Sequence, residues 1–298
     1  MTQPNTNPSR ARPKKPFVTP ARVGVYAFLI TASAFFLLPL YVMVMTSLKT
    51  PEEVRMAALF AWPADPQFAN WAEAWSSACI SIVCEGIQGG FWNSVRLVIP
   101  ATVLSVFLGA LNGYALSFWR SKWGNFLFAF IMLGAFVPFQ VMIYPLVAWF
   151  RLGGFYNSYW AILVAHCIFG MPVMTLLFRN YYVSVPQELF KAARIDGGGF
   201  WRIFLQLMLP MATPMIIVAT ILQVTGIWND YLFGLIFAGK ENHPMTVQLN
   251  NLVNTTFGER RYHIDMAATI LTSLVPLAVY FFSGRWFVRG IAAGAVKG

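Results

Sequence analysis

The stretch ELFKAARIDGGGFWRI occupies residues 188–203 and forms a short polar island between long apolar runs. Its first half has an apolar side at helical spacing, formed by Leu189, Phe190, Ala192 and Ala193. Three consecutive glycines follow Asp196, and glycine tolerates the backbone angles that end a helix. Apolar residues then return at helical spacing, at Phe200, Ile203, Phe204 and Leu207. The segment therefore predicts two short helices joined by a sharp elbow, which Leu209-Pro210 closes.

The elbow begins with a helix-start pattern and has two interpretations. Ser184 is placed to cap the first helix, Gln187 to complete a capping box, and Pro186 to fit the first turn. An amphipathic helix of this kind could lie on lipid headgroups. Lipid adhesion does not require a sharp elbow, whereas a rigid elbow fits a cleft in another protein. The pattern therefore favours docking of a partner onto residues 184–210.

The composition is that of an integral membrane protein. Of the 298 residues, 58% are hydrophobic and 11% are charged, against about 25% charged in soluble domains. The mean hydropathy is +0.60. Six apolar segments are each long enough to cross roughly 30 Å of hydrocarbon as a helix. They cover residues 23–46, 93–118, 125–149, 158–178, 212–237 and 266–287. Lipid offers no partner for backbone N–H and C=O groups, so an all-α fold with six transmembrane helices is predicted.

Positive charge predicts the orientation of these helices. With the N-terminus inside, the cytoplasmic segments hold fourteen of the 21 Lys and Arg residues, which places both termini in the cytoplasm. Residues 1–22 are rich in Pro, Asn and basic residues and predict a disordered cytoplasmic tail, followed by one membrane domain over 23–298. The first apolar run is too long for a signal peptide and predicts a retained anchor. Residues 47–92 and 238–265 then form periplasmic loops.

Charge and cysteine usage limit the function classes. The net charge is +10, but the basic residues are spread through loops and gather on no aromatic surface, which argues against a nucleic-acid partner. Cys79 and Cys84 lie five positions apart in the first outer loop, where they could form a disulfide or remain free. The three histidines lack the spacing of metal ligands, and no nucleophile–base arrangement is evident. No metal site and no catalytic residue is therefore predicted.

The elbow resembles the EAA loop of the permease subunits of ATP-binding-cassette (ABC) importers. That loop reads E-A-A, three residues, Gly, nine residues, I-x-L-P, and this chain reads KAA at 191–193, Gly197 and LMLP at 207–210. Lys191 stands where the family has Glu, and Leu207 where it has Ile. Glu188, three residues earlier, could supply the missing carboxylate. The resemblance implies that an ATPase docks through Glu188, Lys191, Ala192, Ala193, Asp196, Gly197, Phe200, Phe204 and Pro210.

The similarity extends along nearly the whole chain. SLKTPEE from Ser47, NS from Asn93, GYALS from Gly113, WNDY from Trp228 and RGIAAGAVKG from Arg289 are similar to the maltose-type carbohydrate permeases. Within that group the chain most resembles the second permease subunit of glucose- and monosaccharide-type importers. The resemblance implies a bacterial inner membrane protein that works with a second permease, two ATPase subunits and a periplasmic sugar-binding protein. ATP and Mg²⁺ would bind to the ATPase subunits, and this chain would hold no cofactor.

Asp230 is the ionisable residue with the strongest functional signal. It lies near the outer part of the fifth apolar segment, beside Trp228, Asn229 and Tyr231. A charge within a membrane is costly and marks a functional site by default. Carboxylate, amide and aromatic groups also suit a sugar, so these four residues are candidates for the substrate pathway. The alternative is that Asp230 caps a helix or forms a structural pair at the membrane interface.

Two glycine patterns suggest different features, a close helix contact and a phosphate-binding loop, and the second is incomplete. Gly109 and Gly113, four apart in the second segment, could let another helix approach closely. Residues 234–240 match the first seven positions of a phosphate-binding loop. Glu241 replaces the Ser or Thr that would hold Mg²⁺, and no strand is predicted before the loop. We therefore expect no ATP site in this chain.

The leading hypothesis is thus a transport subunit without chemistry of its own. An ABC permease for a solute other than a sugar remains an alternative, and so does an ion-driven secondary carrier. A secondary carrier needs acidic residues or a proton relay within the membrane, and Asp230 alone is available for that role. A membrane-embedded enzyme would need a nucleophile or a metal cluster, for which the sequence offers no pattern.

Overall fold

The computed structural model describes residues 19–56, 58–80, 82–119, 122–254 and 260–295, with side chains up to Gly284. The predicted tail over residues 1–22 lies outside the described residues except for its last four. Within these described residues, four helices are long and apolar enough to span a membrane. They are α1 (Pro20–Ser47), α4 (Gln88–Phe118), α7 (Tyr159–Val183) and α14 (Tyr262–Ala295), in which the qualifying part of α14 is Tyr262–Gly284.

The third and fifth apolar segments differ from the uninterrupted helices that hydropathy predicts. The third consists of α5 (Gly124–Phe136) and α6 (Phe139–Leu152), which meet at an angle of 104°. Pro138 lacks a backbone donor and the residue before a proline avoids the helical region, so the break falls at Val137–Pro138. The fifth consists of α11 (Thr213–Trp228) and α12 (Leu232–Phe237), separated by three residues. The sequence therefore predicts the six apolar segments correctly. Two of these segments, the third and the fifth, are each broken into two helices and are not continuous as predicted.

Small elements cover one end of the bundle, which we call the hairpin end. They are α2 (Pro51–Arg55), α3 (Ala69–Ser76), β1 (Cys79–Ile80), β2 (Val83–Cys84), a 3₁₀ turn (Lys240–Asn242) and α13 (Met245–Asn254). The strands are antiparallel, and Cys79 is bonded to Cys84 as a disulfide. Glu53 closes the capping box of α2, and the backbone N–H groups of Ala64 and Thr50 lower its pKa. These contacts order the loops at this end.

The opposite end, which we call the elbow end, carries three short helices. They are α8 (Gln187–Ile195), α9 (Phe200–Ile203) and α10 (Leu209–Met211), with a π-helical turn over Phe204–Met208 between the last two. Each end has its own apolar core. The core at the hairpin end includes Trp228 and Phe237, and the core at the elbow end includes Tyr114, Phe190 and Phe204.

Helices α4 and α7 form the central pair of the bundle, and glycine permits their close approach. A Cβ atom at Gly109 would lie 2.3 Å from Cβ of Met174, and one at Gly113 would lie 2.8 Å from Cβ of Phe178. Without a hydrophobic driving force between helices in lipid, such close backbone packing is what holds a membrane helix pair together. The structure thus confirms the close approach that the spacing of the two glycines predicts.

Gly109→Ala is expected to lower the unfolding temperature of the detergent-solubilised protein. The added methyl group overlaps Met174, and overpacking of this kind costs about 1–3 kcal/mol. Gly226→Ala is the matched control, because a Cβ at Gly226 in α11 meets nothing within 4 Å. Alanine there is expected to be neutral or slightly stabilising, by up to about 1 kcal/mol. Equal unfolding temperatures of the two variants would contradict the packing argument.

Candidate coupling surface and membrane-buried polar site

The glycines of the elbow have distinct structural roles. Helix α8 ends at Ile195 with Asp196 as its C-cap, and Gly197 follows with φ of +77°, in the left-handed region that favours glycine. The N–H of Gly198 donates to the carbonyl of Ala193 at 2.9 Å, which closes the helix end. A Cβ at Gly198 would lie 2.5 Å from that same carbonyl oxygen. The predicted elbow is therefore present, and Gly197 and Gly198 are required by backbone geometry.

The start of α8 differs from the predicted capping box. Pro186 occupies the position before the helix, and no side chain caps its first N–H groups. The Ser184 hydroxyl instead donates to the carbonyl of Tyr181 at 2.7 Å, at the end of α7. Ser184 thus closes the preceding helix, from which only three residues separate the start of α8.

Helix α8 presents three different faces. Phe190 points inward, is 7% exposed and stacks on Phe118 with ring centroids 4.8 Å apart. The outward face consists of exposed residues three and four apart: Glu188, Ala192 and Ile195. Ile195 is 85% exposed. A flank of the helix carries Lys191 and Arg194, which line a cavity beside the end of α4. The sequence places all these residues on one helix, and the structure distributes them over three faces.

The second half of the elbow is tied to the bundle at both ends by tyrosines. The Tyr114 hydroxyl on α4 donates to the carbonyl of Phe200 at 3.2 Å, and the Tyr181 hydroxyl on α7 donates to the carbonyl of Met211. Phe204 is fully buried and stacks on Tyr114, with ring centroids 5.4 Å apart. Residues 200–211 therefore pack against α4 and α7, and they turn by 78° into α11.

The four residues proposed for the substrate pathway have different surroundings. Trp228 is 2% exposed, and its indole N–H donates to the carbonyl of Thr272 at 3.0 Å. The Asp230 carboxylate accepts from the backbone N–H groups of Phe233 and Gly234 at 3.3 and 3.0 Å, so it caps α12. Trp228 and Asp230 thus hold the break between α11 and α12 in place.

Asn229 and Tyr231 are the exposed members of this group. The Tyr231 hydroxyl donates to the side-chain oxygen of Asn250 at 3.1 Å. His166 on α7, which the sequence analysis did not connect with this site, lies with Nε2 3.6 Å from the Asp230 carboxylate. That nitrogen is buried and has no hydrogen-bond partner among the described residues. An ionisable residue within the fourth apolar segment was the available signal for it.

The breaks in the third and fifth segments lie close together. Phe139, the first residue of α6, packs edge-on against Phe233 of α12, with ring centroids 5.5 Å apart. Phe233 in turn packs against Phe169 of α7. Backbone that leaves the helical pattern at membrane depth is tolerated where it faces protein or a water-filled cavity. Two adjacent breaks therefore indicate a face of this bundle that is turned away from lipid.

The polar residues at the start of α4 anchor the loop after α12. The Asn93 side chain donates to the carbonyls of Glu241 and His243, and the hydroxyl of Ser94 accepts from the N–H of Met245. Residues 234–240 cover the last part of α12 and a tight turn at Gly239, where φ is +73°. That arrangement lacks the strand–loop–helix order of a nucleotide-binding loop.

Comparisons with known proteins agree with this architecture. The family model described as "Binding-protein-dependent transport system inner membrane component" matches residues 101–293, more than half of the chain. A probable ABC transporter permease protein from Pyrococcus horikoshii is 34% identical, over 94% of this chain and 99% of that protein. The glucose import system permease protein of Saccharolobus solfataricus is 30% identical, over 92% of this chain and 95% of its own.

Two further proteins are also similar to this chain. The xylose/arabinose import permease protein of Haloferax volcanii is 30% identical, over 92% of this chain and 93% of that protein. The fold is similar to that of a chain in a bacterial ABC transporter that imports the acidic polysaccharide alginate, with a TM-score of 0.72 and 18% identity. That match covers 91% of this chain and 99% of the other. The chain therefore belongs to the binding-protein-dependent transport system inner membrane components, the permease subunits of ABC importers.

Proposed function

We propose that this chain is the permease subunit of a sugar importer, which forms half of the translocation pathway and docks an ATPase subunit through residues 184–210. Several relatives carry the names of sugar permeases, for xylose and arabinose, α-glucosides and glucose. The importer contains a second permease, two ATPase subunits that bind ATP and Mg²⁺, and a periplasmic sugar-binding protein. The observation that carries the proposal is the elbow, whose outward face is exposed while its inner face is fixed to the bundle.

The arrangement of α8 supports its role as the docking element. Its outward face offers an apolar side chain, Ile195, next to the carboxylate of Glu188 and the small Ala192. An exposed apolar residue beside a charged one suits the centre of a protein interface better than free solution. Phe200 and Phe204 do not reach the ATPase in this proposal. They connect the elbow to Tyr114 and so pass its movement to α4.

The orientation of the chain follows from the same proposal. The elbow end faces the cytoplasm, where the ATPase subunits are, and both termini lie on that side. The hairpin end then faces the periplasm, which is an oxidising compartment and suits the disulfide between Cys79 and Cys84. Residues 47–92 and 238–265 form the surface that meets the binding protein.

For the substrate pathway we propose that Asn229 and Tyr231 contact the sugar, and that Trp228 and Asp230 hold them there. The first two are exposed at the break between α11 and α12, whereas the last two use their polar atoms on backbone groups. Broken helices are a common construction for substrate sites within membranes, because they free backbone and polar side chains at membrane depth.

Ile195→Asp is expected to weaken capture of the ATPase subunit by the full-length permease about thirtyfold, as for the loss of a central interface contact of about 2 kcal/mol. Ile82→Asp is the matched control, because Ile82 is 92% exposed at the hairpin end. Co-purification of the ATPase with each variant measures the effect. Equal capture by both variants would rule out docking through the outward face of α8.

Gly197→Val is expected to uncouple ATP hydrolysis from uptake. A β-branched residue at φ of +77° is strained, although no atom lies within 4 Å of a Cβ there, so the change acts on the elbow through its backbone alone. Gly199→Val is the control, since Gly199 has φ of −80° and equally open space. The assay is ATP-driven uptake of labelled glucose, xylose, arabinose and α-glucosides into proteoliposomes that contain the whole importer.

Three results of this assay would contradict the proposal. Normal uptake by the fully assembled Gly197→Val importer would remove the role of the elbow in coupling. Uptake that collapses with an ionophore while ATP stays high would indicate an ion-driven carrier. Uptake of none of these sugars, with ATP hydrolysis stimulated by another small solute, would indicate a permease for that solute.

Asn229→Ala is expected to lower the initial rate of sugar uptake about tenfold while the protein stays as stable as the unmodified chain, because a hydrogen bond to the moving sugar is lost. Trp228→Phe provides the contrast. It removes the donor to the Thr272 carbonyl, so it should lower the free energy of unfolding by about 1–3 kcal/mol. The assignment of roles is wrong if Trp228→Phe blocks uptake at full stability and Asn229→Ala transports normally.

A further inference from the structure

The end of α4 and the flank of α8 enclose a cavity of about 430 Å³ at the elbow end. Its lining consists of Ser117, Phe118, Trp119, Gln187, Phe190, Lys191 and Arg194. We propose that this cavity binds the phosphate headgroup of an anionic phospholipid. The inference rests on the proposed function, because it assumes that the elbow lies at the cytoplasmic surface of the membrane.

The charge of the cavity favours an anion. Lys191 and Arg194 are three residues apart, so their side chains project from the same flank of α8. Neither forms an ion pair within the part of the chain that the structure describes, and both are exposed. The guanidinium of Arg194 lies 5.2 Å from the centre of the Trp119 ring, which keeps it beside the cavity. Two uncompensated cations and the amide of Gln187 are donors that suit phosphate oxygens.

The position of the cavity favours a lipid over a protein carboxylate. Helix α4 is a membrane-spanning candidate that ends at Phe118, so Trp119 lies at the level where tryptophan marks the membrane surface. Phe118 and Phe190 provide an apolar floor for the carbons next to a headgroup. Basic pockets beside membrane helices on the cytoplasmic side are typical sites for anionic headgroups. The outward face of α8, which the ATPase would meet, is a different face of the helix.

This site would give Lys191 a function that the family pattern does not provide. A bound phosphate would neutralise the flank of α8 and connect it with the end of α4. The lipid phosphate would then add to the existing attachments of the elbow, which include the Tyr114 hydrogen bond and the aromatic stack of Phe190 on Phe118. Anionic lipid would stabilise the elbow in the position from which the ATPase moves it.

The test is binding of lipid to the full-length chain purified in detergent, without ATPase subunits. Phosphatidylglycerol and phosphatidylcholine are titrated separately, and bound lipid is counted by native mass spectrometry. Because each basic residue near a membrane surface contributes roughly 1 kcal/mol, Lys191→Gln with Arg194→Gln should weaken binding of phosphatidylglycerol about thirtyfold. Phosphatidylcholine should bind weakly and equally to both forms. Inorganic phosphate is added in a third arm and should not displace phosphatidylglycerol.

The matched control is Lys122→Gln with Arg202→Gln, which removes the same charge at the elbow end without changing the lining of the cavity. It should bind phosphatidylglycerol as the unmodified chain does. If both double variants lose the same amount of phosphatidylglycerol binding, the effect is due to the total positive charge, and the proposed site is wrong. Displacement of the lipid by inorganic phosphate would assign the cavity to free phosphate. Capture of the ATPase by the Lys191→Gln/Arg194→Gln variant is measured in a separate assay, and unchanged lipid binding with reduced capture would assign the cavity to the ATPase. The Ile195→Asp experiment reports on docking separately, so a failure of the lipid site can be distinguished from a failure of the docking proposal.

Discussion

Hydrocarbon offers no hydrogen-bond partner to a peptide group, and the rest of this structure depends on that constraint. It requires helices in the membrane, and it makes every interruption of a helix a place that needs compensation. The break after Trp228 is compensated by the Asp230 carboxylate, which accepts from the first N–H groups of α12. At the elbow, the hydroxyls of Tyr114 and Tyr181 donate to the carbonyls of Phe200 and Met211. Polar side chains therefore bond to backbone groups beside both of these turns.

The same hydrogen bonds attach the elbow to the bundle at more than one point. A loop attached by one hydrogen bond could move without the bundle, but residues 200–211 are bonded to two different helices and packed through Phe204 against Tyr114. The left-handed Gly197 sets the angle between α8 and this anchored segment. In the proposed coupling role, a force on the outward face of α8 would reach both α4 and α7 through these contacts. The two helices pack closely against each other at Gly109 and Gly113.

Sequence alone predicted the features that depend on composition and short patterns, and missed those that depend on rotation of helices. Hydropathy located all six apolar segments, but averaging over a window cannot detect the break at Pro138, since proline also occurs in unbroken membrane helices. The sequence makes the four residues from Trp228 to Tyr231 candidates for one substrate pathway, with a capping or structural role of Asp230 as the alternative. Whether each of them points inward or outward depends on how α11 is rotated about its own axis. A helix that is apolar on all sides gives no sequence pattern from which that rotation could be predicted. The sequence around Ser184 also fits a capping box for α8, but in the structure the Ser184 hydroxyl donates to the Tyr181 carbonyl at the end of α7.

Lys191 shows that the face of a helix on which a residue lies changes how its charge is interpreted. Counted along the chain, Lys191 replaces a family glutamate and removes a carboxylate from the docking loop. On the helix, Lys191 belongs to the flank that lines the cavity, whereas Glu188 is exposed beside Ala192 and Ile195. The outward face therefore still carries a carboxylate, that of Glu188, three positions before Lys191. Lys191 adds positive charge to the flank of α8 that lines the cavity beside the end of α4, and Glu188 and Ile195 stay exposed on the outward face.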